Sequence, residues 1–145
     1  MDVREIQPGE TGSAFLAMKA LRTDLADEAE FVRRIDEVQR PEGYRLMGAF
    51  DQEEPDAAAA VAGFRVGNNL ADGHYLYVDD LATRPEFRRR GLGTALLVWL
   101  AREAGRLGCD HLSLDSAVGL ERADAHRLYL NSGLKITAHH FERRL

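Results

Sequence analysis

Between Arg84 and Thr94 the chain concentrates the residue types that hold a small anion. Four arginines (Arg84, Arg88, Arg89 and Arg90) fall within seven positions, and Gly91 and Gly93 follow directly. Lacking a Cβ, each glycine lets the backbone come close to a ligand. The apolar spacing that begins at Leu92 reads as a helix, which puts the amides of Gly91, Leu92, Gly93 and Thr94 at its start. N–H groups there lack intrahelical partners and lie at the positive end of the helix dipole. The guanidinium groups add charge and forked donors suited to phosphate oxygens. Together these residues describe a site for an anion of pyrophosphate size.

Three phosphate-binding patterns use glycines in this way. A P-loop requires G-x-x-x-x-G-K-[ST], but the only lysines are Lys19 and Lys135, so it is excluded. A dinucleotide fingerprint requires G-x-G-x-x-G; here Leu96 stands at the third glycine, and repeated βαβ units are missing. The coenzyme A pyrophosphate loop, R/Q-x-x-G-x-G/A, is met by Arg88-x-x-Gly91-x-Gly93. A tight turn with solvated arginines is the plainer alternative. Glycine spacing, helix start and charge agree with one another and favour the anion site.

The elements that must position this turn can be read from periodicity. Residues 3–6 form a first strand, and residues 7–12 a turn in which Thr11 or Ser13 can cap a helix. Phe15, Met18 and Leu21 recur at helical spacing, as do Phe31 or Val32, Ile35 and Val38. An acidic stretch with Asp24, Asp27, Glu28 and Glu30 separates these two helices. Strands follow over 44–50, 58–66 and 74–83, with polar turns between them. After Pro85 come a helix ended by Gly108, a strand over 111–114, a helix over 122–131 and a final strand over 135–142. The order is β-α-α-β-β-β-α-β-α-β, an α/β (α+β) fold with a mixed sheet and helices on it. In the long strand, Leu76 and Val78 share one parity while Leu81 and Thr83 share the other. Such a phase slip implies a β-bulge, or else a strand buried on both faces.

The run YVDDLATRPEFRRRGLGTALL, over 77–97, resembles the central motif of the GNAT superfamily of acyl-CoA-dependent N-acetyltransferases. The later AHRLYLNSGL, over 125–134, is similar to that family's next motif, A-x-x-[LF]-Y-x-x-x-G-[FL]. The resemblance covers essentially the whole chain and is specific for the superfamily, though not for a substrate. It implies a predominantly antiparallel sheet whose middle strands splay at a bulge, flanked by helices. It implies acetyl-CoA as cosubstrate, with its diphosphate on the amides of Arg89, Arg90, Gly91, Leu92, Gly93 and Thr94. Its pantetheine arm would run along Leu81, Ala82 and Thr83. Tyr129 falls where the family commonly has a tyrosine that protonates the departing thiolate. A phenol of pKa about 10 suits a thiolate of pKa about 8.5. Asp79 and Asp80 correspond to an acidic pair that deprotonates the acceptor amine, through water, in related diamine acetyltransferases. A backbone N–H of the bulge would polarise the thioester carbonyl, and transfer would pass directly through a tetrahedral intermediate. One departure stands out: Arg122 replaces an asparagine the family often has three positions before the residue matching Ala125.

The resemblance also makes the segment between the first two helices a wall of the acceptor site. Glu28 and Glu30 are then candidate contacts for a primary amine of a small cationic molecule. Arg22 or Arg65 lining the pocket would instead mark an anionic acceptor. Composition bounds the rest. The 145 residues fit a single domain spanning 1–145. A net charge of −5 removes the overall basic footprint of a nucleic-acid binder. One cysteine, Cys109, excludes an internal disulfide framework, and the scattered histidines suggest no metal site. The polar N-terminus is unlike a signal peptide, and no apolar run reaches the roughly 20 residues of a membrane span. The expectation is a cytoplasmic acetyltransferase acting on a small-molecule amine, with no metal, nucleic acid or membrane partner; a homodimer is left open. A non-catalytic acyl-CoA-binding module is the rival from another class.

Overall fold

The computed structural model describes residues 1–145. Its strands are β1 (Asp2–Glu5), β2 (Arg45–Phe50), β3 (Ala60–Asn69), β4 (Gly73–Thr83) and β5 (His111–Leu114). They lie side by side in that order. The first three pairings are antiparallel and β4–β5 is parallel. Helices α1 (Phe15–Leu21) and α2 (Glu28–Arg33) precede β2, α3 (Leu92–Arg106) joins β4 to β5, and α4 (Ala123–Asn131) follows β5. A parallel neighbour needs a crossover, and α3 supplies it.

The sheet carries a separate apolar layer on each face, which explains why β2 and β3 read as continuous apolar runs. One layer joins Met47, Phe64, Leu76 and Val78 to Leu96, Leu97 and Leu100 of α3 and Tyr129 of α4. The other joins Leu46, Tyr44, Val61 and Ala82 to Ala17 and Met18 of α1 and Phe31 of α2. An ion network around the buried Glu103 ties α3 to β1 and β2. Arg45 of β2 donates to Glu5 of β1 at 2.8 Å and to Glu103 of α3 at 2.7 Å. Hydrogen bonding from Arg106 and then Arg45 holds the Glu103 carboxyl down to about 2.

The bulge expected from the parity slip is present. Gly63 pairs with Asp80 and Phe64 with Val78, so Asp79 is an extra residue with no partner on β3. On the other side β4 and β5 run together from Tyr75↔His111 to Val78↔Leu114 and then part. Beyond that point β4 continues to Thr83 while the chain after Leu114 leaves the sheet. The result is a wedge-shaped gap whose apex is at Val78 and whose wall is residues 79–83.

Two expectations need correction. The final strand over 135–142 does not form, and that segment has no regular structure. As a strand it would place Ile136 and Phe141 on opposite faces, giving no single apolar side to bury; they stay 82% and 91% exposed. The first helix begins as a 3₁₀ turn over Thr11–Ala14, and Ser13 Oγ donates back to the Glu10 carbonyl instead of capping. The second helix is capped by Asp27, whose carboxylate accepts from the Glu30 N–H at 2.8 Å, and it widens into π turns over Arg34–Gln39.

Candidate active site

A first cavity of about 490 Å³ runs from the Gly91 turn to Tyr129. Arg88, Arg89, Gly91, Leu92, Gly93 and Thr94 line one end, and Leu81, Ala82 and Thr83 line its side. The turn is built from left-handed backbone. Gly91, the N-cap of α3, has φ +78°, and Arg89 at φ +62° is the one non-glycine residue of the chain with positive φ. Left-handed residues alternating with others bring successive N–H groups into a concave array that suits an anion. No side chain caps α3, and its first helical bond is Ala95 N–H to Gly91 carbonyl. The amides of Leu92, Gly93 and Thr94 therefore have no helical partner. A Cβ on Gly91 would meet nothing within 4 Å, which leaves its open side to a ligand, whereas one on Gly93 would stand 2.8 Å from Leu128 Cδ2. Gly93 thus also lets α4 pack against the start of α3.

Two of the four clustered arginines are committed elsewhere. Arg84 is only 9% exposed; it donates to Glu54 at 2.8 Å and to Glu86 at 2.6 Å. The Arg90 guanidinium stacks on the Phe87 ring at 5.0 Å, and Arg90 does not line the cavity. Arg88 and Arg89 remain as exposed, unpaired cations beside the amides.

A second cavity of about 250 Å³ lies in the wedge between β4 and β5. Leu21, Leu81, Arg122 and Tyr129 line both cavities, so the two adjoin there. Asp79 and Asp115 contribute carboxylates to the second, and Arg22 and Arg122 contribute guanidiniums.

The bulge gives the adjacent acids different environments. Asp79 Oδ2 accepts from Arg65 Nε at 2.8 Å, and burial raises its pKa while Arg65 opposes the rise. Asp80 accepts from Arg22 Nε at 2.9 Å and from the Tyr44 hydroxyl at 2.8 Å; its side chain is 11% exposed. Arg22 also donates to the Asp79 carbonyl at 2.9 Å, tying down the bulge itself. Tyr44 reaches Asp80 only because residue 63 is glycine: a Cβ there would stand 1.7 Å from the tyrosine oxygen. Burial, followed by Asp80, raises the Tyr44 pKa well above its usual value, so its hydroxyl remains a donor. Gly63→Ala must displace a ring that is 2% exposed and break a charge-assisted hydrogen bond. The expected loss is about 2–4 kcal/mol in urea unfolding, and an unchanged midpoint would mean that Tyr44 swings aside freely.

Tyr129 of α4 is 8% exposed and stands where the cavities meet. Burial raises its pKa, and Arg122 partly offsets the rise, its Nη2 donating to the phenolic oxygen at 3.4 Å. Glu28 and Glu30 line neither cavity. Glu30 pairs with Arg33 at 2.9 Å, and the Glu28 carboxylate sits beside Gly12. Their carboxylates are thus engaged by α2's own arginine and the preceding turn. Sequence reasoning did not assign Tyr44 or Asp115 to this region, nor did it place Arg22 and Arg65 on the acidic pair. The partners of Asp79 and Asp80 other than Arg65 lie 36 to 58 residues away in sequence. The chain contains no group of three or more His, Cys, Asp or Glu residues positioned to hold a metal ion. No helix is long and apolar enough to cross a membrane.

A sheet parted after Val78, with a glycine turn of free amides and a buried tyrosine lining the cavity beside the gap, is the architecture of an acyltransferase cleft. The profile of the Acetyltransferase (GNAT) family matches residues 14–134, and the chain belongs to that family. It is 32% identical over 68 residues to an aminoalkylphosphonate N-acetyltransferase from Salmonella typhimurium. That match spans 47% of this chain and 43% of the relative's length. A transcriptional regulator from Bacillus halodurans C-125 superposes with a TM-score of 0.81 at 18% identity, covering 99% of each chain. An aminoglycoside N-acetyltransferase solved with CoA gives a TM-score of 0.78 at 14% identity, covering 99% of this chain and 93% of that one. At these identities the two structures establish a shared fold.

Proposed function

We propose that this protein transfers the acetyl group of acetyl-CoA to a primary amine of a small molecule in the cytoplasm. The observation that carries the reading is the meeting of the two cavities at Tyr129: one leads to the anion cradle, the other to the acidic bulge. Acetyl-CoA would supply an acetyl group activated as a thioester. The amides of Leu92, Gly93 and Thr94, with Arg88 and Arg89, hold its diphosphate. The edge of Leu81, Ala82 and Thr83 that faces away from β3, left without a β5 partner, receives the extended arm as an added strand would be received. A bulge N–H orients the carbonyl oxygen by hydrogen bonding.

The acceptor sits in the second cavity, with its ammonium, the cationic end the acidic pair was expected to attract, near Asp79. The raised pKa of Asp79 suits a base, because it brings the carboxyl closer to the proton it must accept. Asp80, held by Arg22 and Tyr44, fixes the bulge that carries Asp79. Tyr129 holds its proton until the thiolate forms and then delivers it to sulfur.

Incubation with acetyl-CoA and a broad amine panel should release free CoA thiol in proportion to acetylated amine. Tight CoA binding with no thiol release from any amine would overturn catalysis and leave an acyl-CoA-binding module.

A further inference from the structure

We infer that the acceptor carries an anionic group as well as its amine, a carboxylate or phosphonate on a short skeleton, and that Arg122 receives it. The inference rests on the acetyltransferase reading and concerns the substrate class of the same site.

The arginines around the acidic bulge are nearly all matched with carboxylates. Arg22 pairs with Asp80, and Arg65 with Asp79 and Glu42. Arg122 is the exception. It has no carboxylate partner, and its one side-chain hydrogen bond is the long contact to the Tyr129 hydroxyl. It is also half-buried, so water cannot solvate it as it does the exposed arginines of the surface. A guanidinium presents five donors in a fixed fork, and a planar or tetrahedral oxyanion is the group that fills them. The cofactor diphosphate already has the amides of Leu92, Gly93 and Thr94 with Arg88 and Arg89, whereas Arg122 lines the second cavity as well as the first.

The other charges of the second cavity fit the same acceptor. Asp79 and Asp115 are the carboxylates that line that cavity, and Arg122 is its one guanidinium without a carboxylate partner. A purely cationic acceptor such as a diamine would bring a second ammonium toward an unmatched guanidinium, and that repulsion selects against it. Size agrees as well. At roughly 30 Å³ per water molecule, about 250 Å³ accommodates a short-chain acceptor.

The test compares four three-carbon amines with saturating acetyl-CoA, read as free thiol: propylamine, 1,3-diaminopropane, 3-aminopropanoate and 3-aminopropylphosphonate. At least one anion-bearing amine should exceed both propylamine and the diamine in kcat/KM by about tenfold or more, mainly through KM. That factor corresponds to one charge-assisted hydrogen bond. Arg122→Gln should collapse the ratio toward one, and Arg122→Lys should keep part of it, with an intact melting transition showing that both variants are folded. The two anionic arms decide between carboxylate and phosphonate. Equal or better use of the diamine would overturn the inference while leaving the acetyltransferase reading intact. A ratio that survives Arg122→Gln, with all four amines slowed alike, would also overturn it and assign Arg122 to Tyr129 chemistry. No thiol from any amine would overturn both readings together.

Discussion

Replacing Tyr129 by phenylalanine is expected to leave CoA affinity intact and to lower turnover by roughly 10²–10⁴-fold, the range for loss of a general acid. The substitution removes one oxygen from a ring that is otherwise packed in the α3 layer, so the fold should persist. The pH profile supplies a second readout. An acid acts in its protonated form, so activity falls as pH rises through its pKa. Burial raises the pKa of Tyr129, with Arg122 pulling partly back. The alkaline limb assigned to this group should therefore lie above the ordinary tyrosine range, and it should vanish in Tyr129→Phe. Unchanged turnover, with chemistry shown to be rate-limiting, would return Tyr129 to a packing role.

Gly91→Val should produce the largest loss of cofactor binding. At φ +78° a β-branched residue is strained, which costs about 1–2 kcal/mol or more of stability. The protein offers no atom within 4 Å of the new Cβ, so the remaining effect must fall on whatever occupies the open side. Loss of two charge-assisted amide contacts would weaken CoA binding by roughly 10²-fold or more. Calorimetry on variant protein with an intact melting transition measures it. Wild-type affinity in folded protein would move the diphosphate away from this turn.

Much of this site was legible because its parts are local. The glycine spacing, the helix start after it and the parity slip between Val78 and Leu81 all lie within about twenty residues. They gave the turn, α3 and the bulge before any coordinates. What could not be read was which charges are used up. Arg84 looks like its neighbours in sequence, yet Glu54, across the β2–β3 turn, withdraws it from the cradle. Asp79 and Asp80 read as an acidic pair of candidate bases until Arg65, Arg22 and Tyr44 arrive from three other segments. The left-handed Arg89 was hidden because nothing in its side chain demands that backbone. The missing final strand was over-read from composition, since β-branched and apolar residues suggested a strand without supplying a face to bury.

The two apolar layers have a consequence for how selectivity can change. Arg22 and Tyr44 belong to the α1–α2 side of the sheet, while Tyr129 and Arg122 belong to the α3–α4 side. The second cavity is thus lined by two jaws, one from each layer, with the sheet between them. Its width is a property of their relative seating. A repacking deep in either layer, far from any charged group, will tilt one jaw and retune which skeleton lengths fit. The fit of this cavity can therefore drift through the interior of the protein while the Gly91 turn and Tyr129 stay the same.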